Sequence, residues 1–170
     1  MLKKFNLILF FTSLGLVNGC VGYPRLLNSA FDPSGRSLNS PATELNPHIS
    51  GRYIVFTSDR RGSQDIYLFD RLRRSLIDLP GLNSLDTMTS HPTISEDGNY
   101  IVFIASRQGR SAIFLYDRQT RQSRNLTSNL PAEVRNPMIS ADGSRIAFES
   151  SVNGQWDILV YDRFGRPVKE

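Results

Sequence analysis

The sequence predicts an all-β fold built from tandem four-stranded sheets, and three observations carry that prediction. A unit recurs three times without a gap: Thr57–Asp70 reads TSDRRGSQDIYLFD, Ile104–Asp117 reads IASRQGRSAIFLYD, and Glu149–Asp162 reads ESSVNGQWDILVYD. Pro47, Pro92 and Pro137 mark one phase of each copy, 45 residues apart, a period in the range of four-stranded propeller blades. The runs Ile66–Phe69, Ile113–Tyr116 and Ile158–Tyr161 are continuously apolar and not alternating, so each is expected to be covered on both faces. Sheets stacked around an axis meet that need, because each lies between two others. The expected architecture is three four-stranded β-propeller blades, half of a six-bladed propeller.

In chain order, residues 1–20 read as a signal peptide. Lys3 and Lys4 form a positive start, Phe5–Val17 is a mostly apolar stretch of 13 residues, and Asn18-Gly19-Cys20 supplies a cleavage point. The stretch is short for a bilayer span, which needs about 20 residues. Leu16-Val17-Asn18-Gly19-Cys20 resembles a bacterial lipobox, which implies a lipid on Cys20 and a membrane tether there. Simple cleavage near Cys20 is the alternative.

Residues 21–45 form a linker with Pro24, Pro33, Gly35 and Pro41 as breakers. Within it Arg36–Ser40 resembles Arg124–Ser128 of the second copy and is a candidate strand. The repeats themselves occupy about 46–90, 91–135 and 136–170. Each offers a short piece ending at Ser, a turn, a strand (Tyr53–Thr57, Tyr100–Ala105 or Arg145–Glu149), a Gly-containing turn, the apolar strand, and a turn at Asp-Arg. In the second and third copies the first of these turns is Asp-Gly, where Gly accepts positive φ and Asp satisfies backbone N–H groups. A last short piece follows near Leu79 or Leu126. In the third copy the chain stops eight residues after Asp162, so its outermost strand is expected to be truncated, and the Leu38 segment is a candidate to replace it.

Composition narrows the function. With 39% hydrophobic and 21% charged residues the 170-residue chain has the make-up of one globular domain. The formal charge of +4 falls to about +2 without Lys3 and Lys4, and the arginines are scattered, so no nucleic acid partner is expected. Cys20 is the one cysteine, which excludes an intrachain disulfide and a thiolate metal cluster. No G-x-S-x-G elbow, H-E-x-x-H pair or phosphate-binding glycine loop occurs. No enzyme activity, cofactor or metal is expected.

The residues Pro92, Ser95, Asp97, Gly98, Ile101 and Phe103, then Ser106, Arg107, Gly109, Ile113, Leu115 and Asp117, resemble the TolB-type, WD-repeat-like β-propeller repeat of bacterial envelope proteins. Thr57–Gly62 with Asp65-Ile66-Tyr67 matches its loop and strand more closely still. The resemblance covers nearly all of 46–170 and implies a propeller that works by binding, in the periplasm or cell envelope. It departs from the family pattern at the shortened first turn, at Ala112, and in lacking the α/β domain that precedes the TolB propeller. The competing reading is a propeller that gates or regulates a hydrolase or peptidase supplied by another chain, or a truncated propeller remnant.

Candidate site residues are few. Arg60, Arg61, Arg107 and Arg110 lie in the loop between two strands, and arginine outnumbers lysine 17 to 3. The planar guanidinium fork suits carboxylates and phosphates, so this loop is the expected contact surface for an anionic partner or an envelope protein partner. Asp70, Asp117 and Asp162 recur at one phase and read as turn residues accepting backbone N–H bonds. His48 and His91 stand at different phases and read as drift at repeat positions, and Trp156 suits packing and binding equally. Three blades leave an apolar face at each end, so head-to-tail pairing of two chains is expected to close the ring.

Overall fold

The computed structural model describes residues 35–84 and 86–169. The signal peptide, Cys20 and most of the linker lie outside them. Eleven strands run in chain order: β1 (Glu44–Ser50), β2 (Tyr53–Ser58), β3 (Asp65–Asp70), β4 (Ser75–Ile77), β5 (Met88–Ile94), β6 (Tyr100–Arg107), β7 (Arg110–Asp117), β8 (Gln122–Asn125), β9 (Val134–Ile139), β10 (Arg145–Ser150) and β11 (Asp157–Asp162). They form three antiparallel meanders, β1–β4, β5–β8 and β9–β11, each with neighbours in chain order. These are three blades, as the repeat predicts.

In every blade the first strand bulges at one repeat phase. Asn46, His91 and Asn136, each followed by Pro, take φ of 48°, 49° and 51°, and the pairing register slips beside each of them. The extra residue bends the strand. β5 then contacts β1, β2 and β3, while β9 contacts β5, β6 and β7.

The core lies between blades. One cluster joins Val55, Ile66 and Leu68 of the first blade to Ile101, Phe103 and Tyr116 of the second. The other joins Val102, Ile104, Ile113 and Leu115 to Ile146, Phe148 and Tyr161 of the third. At about 1.5–3 kcal/mol per large side chain fully buried, these two interfaces dominate the stabilisation. His48 belongs to the first of them: its Nδ1 accepts the Ile94 N–H at 3.2 Å, tying β1 to β5.

Two expectations change. The third apolar strand is not covered on both faces: Ile158 is 66% exposed, since no sheet follows the third blade among the described residues. The Arg36–Ser40 segment is not a strand, because the Arg60 guanidinium takes the carbonyls of Gly35, Ser37 and Leu38. The outer strand of the third blade is begun by the chain itself, through the Tyr161–Pro167 bridge and the Val168 N–H donated to the Val160 carbonyl.

Candidate functional site

An antiparallel meander puts its turns alternately at two ends. One end carries the turns from first to second strand and from third to fourth. The other carries the turns from second to third strand and the connections between blades.

At the first end the repeated aspartates serve the backbone. Asp70 accepts the N–H of Leu72 and Arg73, Asp117 those of Gln119 and Thr120, and Asp162 those of Phe164 and Arg166. The Asp70 side chain is fully covered, and its ion pair with Arg52 holds the carboxyl well below the usual carboxylate range. The arginine that follows the aspartate has another task. Arg71 and Arg118 donate to the carbonyls of Gly51 and Gly98, pinning one turn of the blade to the other.

The four arginines expected to meet a partner lie at the second end, and the structure separates them. Arg60 is turned inward: its side chain is 5% exposed, it pairs with Glu44 at 2.8 Å, and its guanidinium lies 5.2 and 4.7 Å from the Phe56 and Tyr67 ring centres. Arg61 is exposed beside Tyr67. Arg107, at the same phase as Arg60, pairs with Asp86 of the preceding connection at 2.7 Å. Arg110 is exposed at the rim of a groove between the second and third blades.

That groove, of about 1170 Å³, is floored by Ala112 and Val134 and walled by the connection Ser128–Glu133. Trp156 stands at its edge, 41% exposed. The Arg135 guanidinium lies 3.8 Å from the Trp156 ring centre and pairs with Glu149, which also accepts from Asn136. Those two bonds keep Glu149 ionised, lowering its pKa. The paired Arg135 braces Trp156, which leaves that ring less conformational freedom to lose on binding. Trp156 is visible in the sequence as the one tryptophan, at the phase of Gln64 and Ser111. Arg135 carries no such signal, because only the fold brings it over the ring.

Among the described residues no group of three His, Cys, Asp or Glu side chains is placed to hold a metal ion. The histidines are apart in role. His91 is exposed at a bulge, whereas burial lowers the pKa of His48 and favours the neutral ring that its acceptor role requires.

No protein-family model and no curated protein sequence matches the chain. Solved structures do. TolB from Acinetobacter baumannii is similar at 27% identity and a TM-score of 0.57 over 74% of this chain. A putative TolB from Agrobacterium tumefaciens is similar at 21% identity and 0.61 over 83%. The β-propeller domain of the Trilobed protease from Pyrococcus furiosus is similar at 16% and 0.57 over 75%. The chain spans 31%, 52% and 42% of those three chains. The fold is that of a β-propeller in part, three blades resembling the propellers of TolB and of peptidases.

Proposed function

We propose that this chain is a non-enzymatic binding module of the bacterial cell envelope, and that it engages a protein partner through the groove between its second and third blades. The observation that carries this is the Arg135–Trp156 stack at the edge of an open groove with Arg110 at its rim. Envelope placement rests on residues 1–20 and on the likeness to TolB. Propeller domains of peptidases share the fold, so the gating alternative predicts a hydrolase partner at the same groove.

The working unit is a single arc. Head-to-tail closure would repeat the contacts in which Arg118 lies over Tyr53 and Arg163 over Tyr100. At the next step those phases hold Arg71 and Arg145, two like charges. Glu149 stands at the phase where Thr57 and Ile104 are buried, so closure would also strip water from a carboxylate.

The test is a photo-crosslinking residue placed at Ser111 in cells producing the full chain. One discrete adduct, lost when Trp156 and Arg110 are both changed to Ala, is the expected result. An adduct unaffected by that change, or none at Ser111 while probes at the opposite end react, contradicts the groove.

A further inference from the structure

The two ends of the arc differ in charge. Counting the turns, the connections and the strand-terminal residues beside them among the described residues, the end with the third-to-fourth-strand turns holds nine arginines and six carboxylates. The opposite end holds five arginines and seven carboxylates. The arginines of the repeated second-to-third-strand loop thus lie at the acidic end, two of them spent on Glu44 and Asp86.

At the basic end five of the six carboxylates are occupied, and Glu96 is exposed. Asp70, Asp117 and Asp162 serve their own turns, and Asp97 and Asp142 accept from Ser95 and Ser140. Arg52 and Arg73 pair with Asp70, and Arg166 pairs with Asp162; the other six arginines of this end pair with no carboxylate among the described residues. The three turns read Arg71-Leu72-Arg73-Arg74, Arg118-Gln119-Thr120-Arg121 and Arg163-Phe164-Gly165-Arg166. Arg74 and Arg121 are exposed and pair with no carboxylate among the described residues.

Two of the turn tips are apolar: Leu72 is 77% exposed and Phe164 52%. Phe164 is flanked by Arg163 and Arg166, whose guanidinium carbons lie 5.4 and 5.2 Å from its ring centre. Apolar tips among arginines suit a bilayer interface, where the apolar group enters the headgroup layer and guanidinium binds phosphate. Packed sheets are about 10 Å apart, so three turns spread over roughly 20 Å, too far for one small anion. A lipid surface offers anions at any spacing, whereas a folded acidic partner needs carboxylates at matching positions.

We propose that this end of the arc docks on an anionic phospholipid surface, with Leu72 and Phe164 among the headgroups and Arg73, Arg74, Arg121 and Arg163 on the phosphates. The groove at the opposite end then faces away from the membrane. The inference rests neither on the groove nor on Cys20.

The test is flotation of the full chain with vesicles of phosphatidylcholine alone and of equal parts phosphatidylcholine and phosphatidylglycerol. Lys3→Gln and Lys4→Gln, carried in every sample, remove the leader's own preference for anionic vesicles, so the readout is the anionic-to-neutral ratio. That ratio is expected to exceed one at low salt, to fall at high salt, and to fall roughly fivefold for each arginine taken off the lipid-facing turns. Arg73→Glu, Arg74→Glu and Arg121→Glu together bring it to one, while R73K/R74K/R121K preserves it. Leu72→Ser with Phe164→Ser lowers flotation on anionic vesicles, and Arg61→Gln at the opposite end leaves the ratio unchanged. A ratio of one for the chain with no further change overturns the proposal. So does a triple reversal that keeps both its circular dichroism and its ratio, or tighter binding to soluble polyglutamate than to vesicles, which would assign the end to an acidic polypeptide. If the triple reversal fails to fold, the lysine set and the Leu72/Phe164 pair still decide.

Discussion

Gly98 and Gly143 each sit under a tyrosine of the preceding blade. A Cβ on Gly98 would lie 2.3 Å from the Tyr53 ring, and one on Gly143 2.7 Å from the Tyr100 ring, with φ of 73° and 72°. Both the backbone and the neighbouring ring therefore demand glycine, and the ring in turn supports Arg118 or Arg163. Gly98→Ala is expected to cost about 1–3 kcal/mol from backbone strain alone, and more as Tyr53 is displaced. The urea midpoint measures this; a midpoint unchanged from the parent would show that the first and second blades do not meet there. The same phase holds Arg145 in the third blade, which marks that face as one facing water.

At the scale of elements, the 35–43 segment follows the path that a connection between blades takes elsewhere. Thr43 N–H bonds the Asp59 carboxylate at 2.9 Å, and at the same repeat phase Glu133 N–H bonds the Ser151 hydroxyl at 3.1 Å. Arg60 grips this strap as Arg107 grips Asp86, so the first blade is partly covered where a preceding blade would lie. Arg60→Ala removes charged hydrogen bonds worth about 2–3 kcal/mol. Amides of residues 36–43 should then exchange about thirty- to a hundredfold faster if opening is local, with the blades unaffected. Unchanged exchange would mean the strap is held by something else. Repeat phase made the blades, their turns and the short third sheet legible in the sequence, since identical spacing forces identical pairing. It could not show that Arg60 turns inward while Arg107 stays out, because both occupy one phase and differ only in what lies beside them. Nor could it place Arg135 on Trp156, 21 residues apart in the chain.

For the whole molecule, the two end faces decide what the arc can do. Arg60, tied to the strap, covers Phe56 and Tyr67 at one end of the stack; at the other, Arg145 and Glu149 interrupt the apolar patch of Met138, Ile158 and Val160. Terminal units of stacked repeats use polar outer faces in this way to stay soluble. Ring closure by two chains would have to bury Glu149 and oppose Arg145 to Arg71. Restoring the second-blade residues, with Arg145→Tyr and Glu149→Ile, should remove both obstacles and promote self-association. Sedimentation velocity on residues 21–170 tests the single arc most directly: one species with the mass of a single chain is expected for the parent, and a heavier species for the double variant. A parent that sediments with the mass of two chains, and reverts to one on Ile158→Arg, would contradict it.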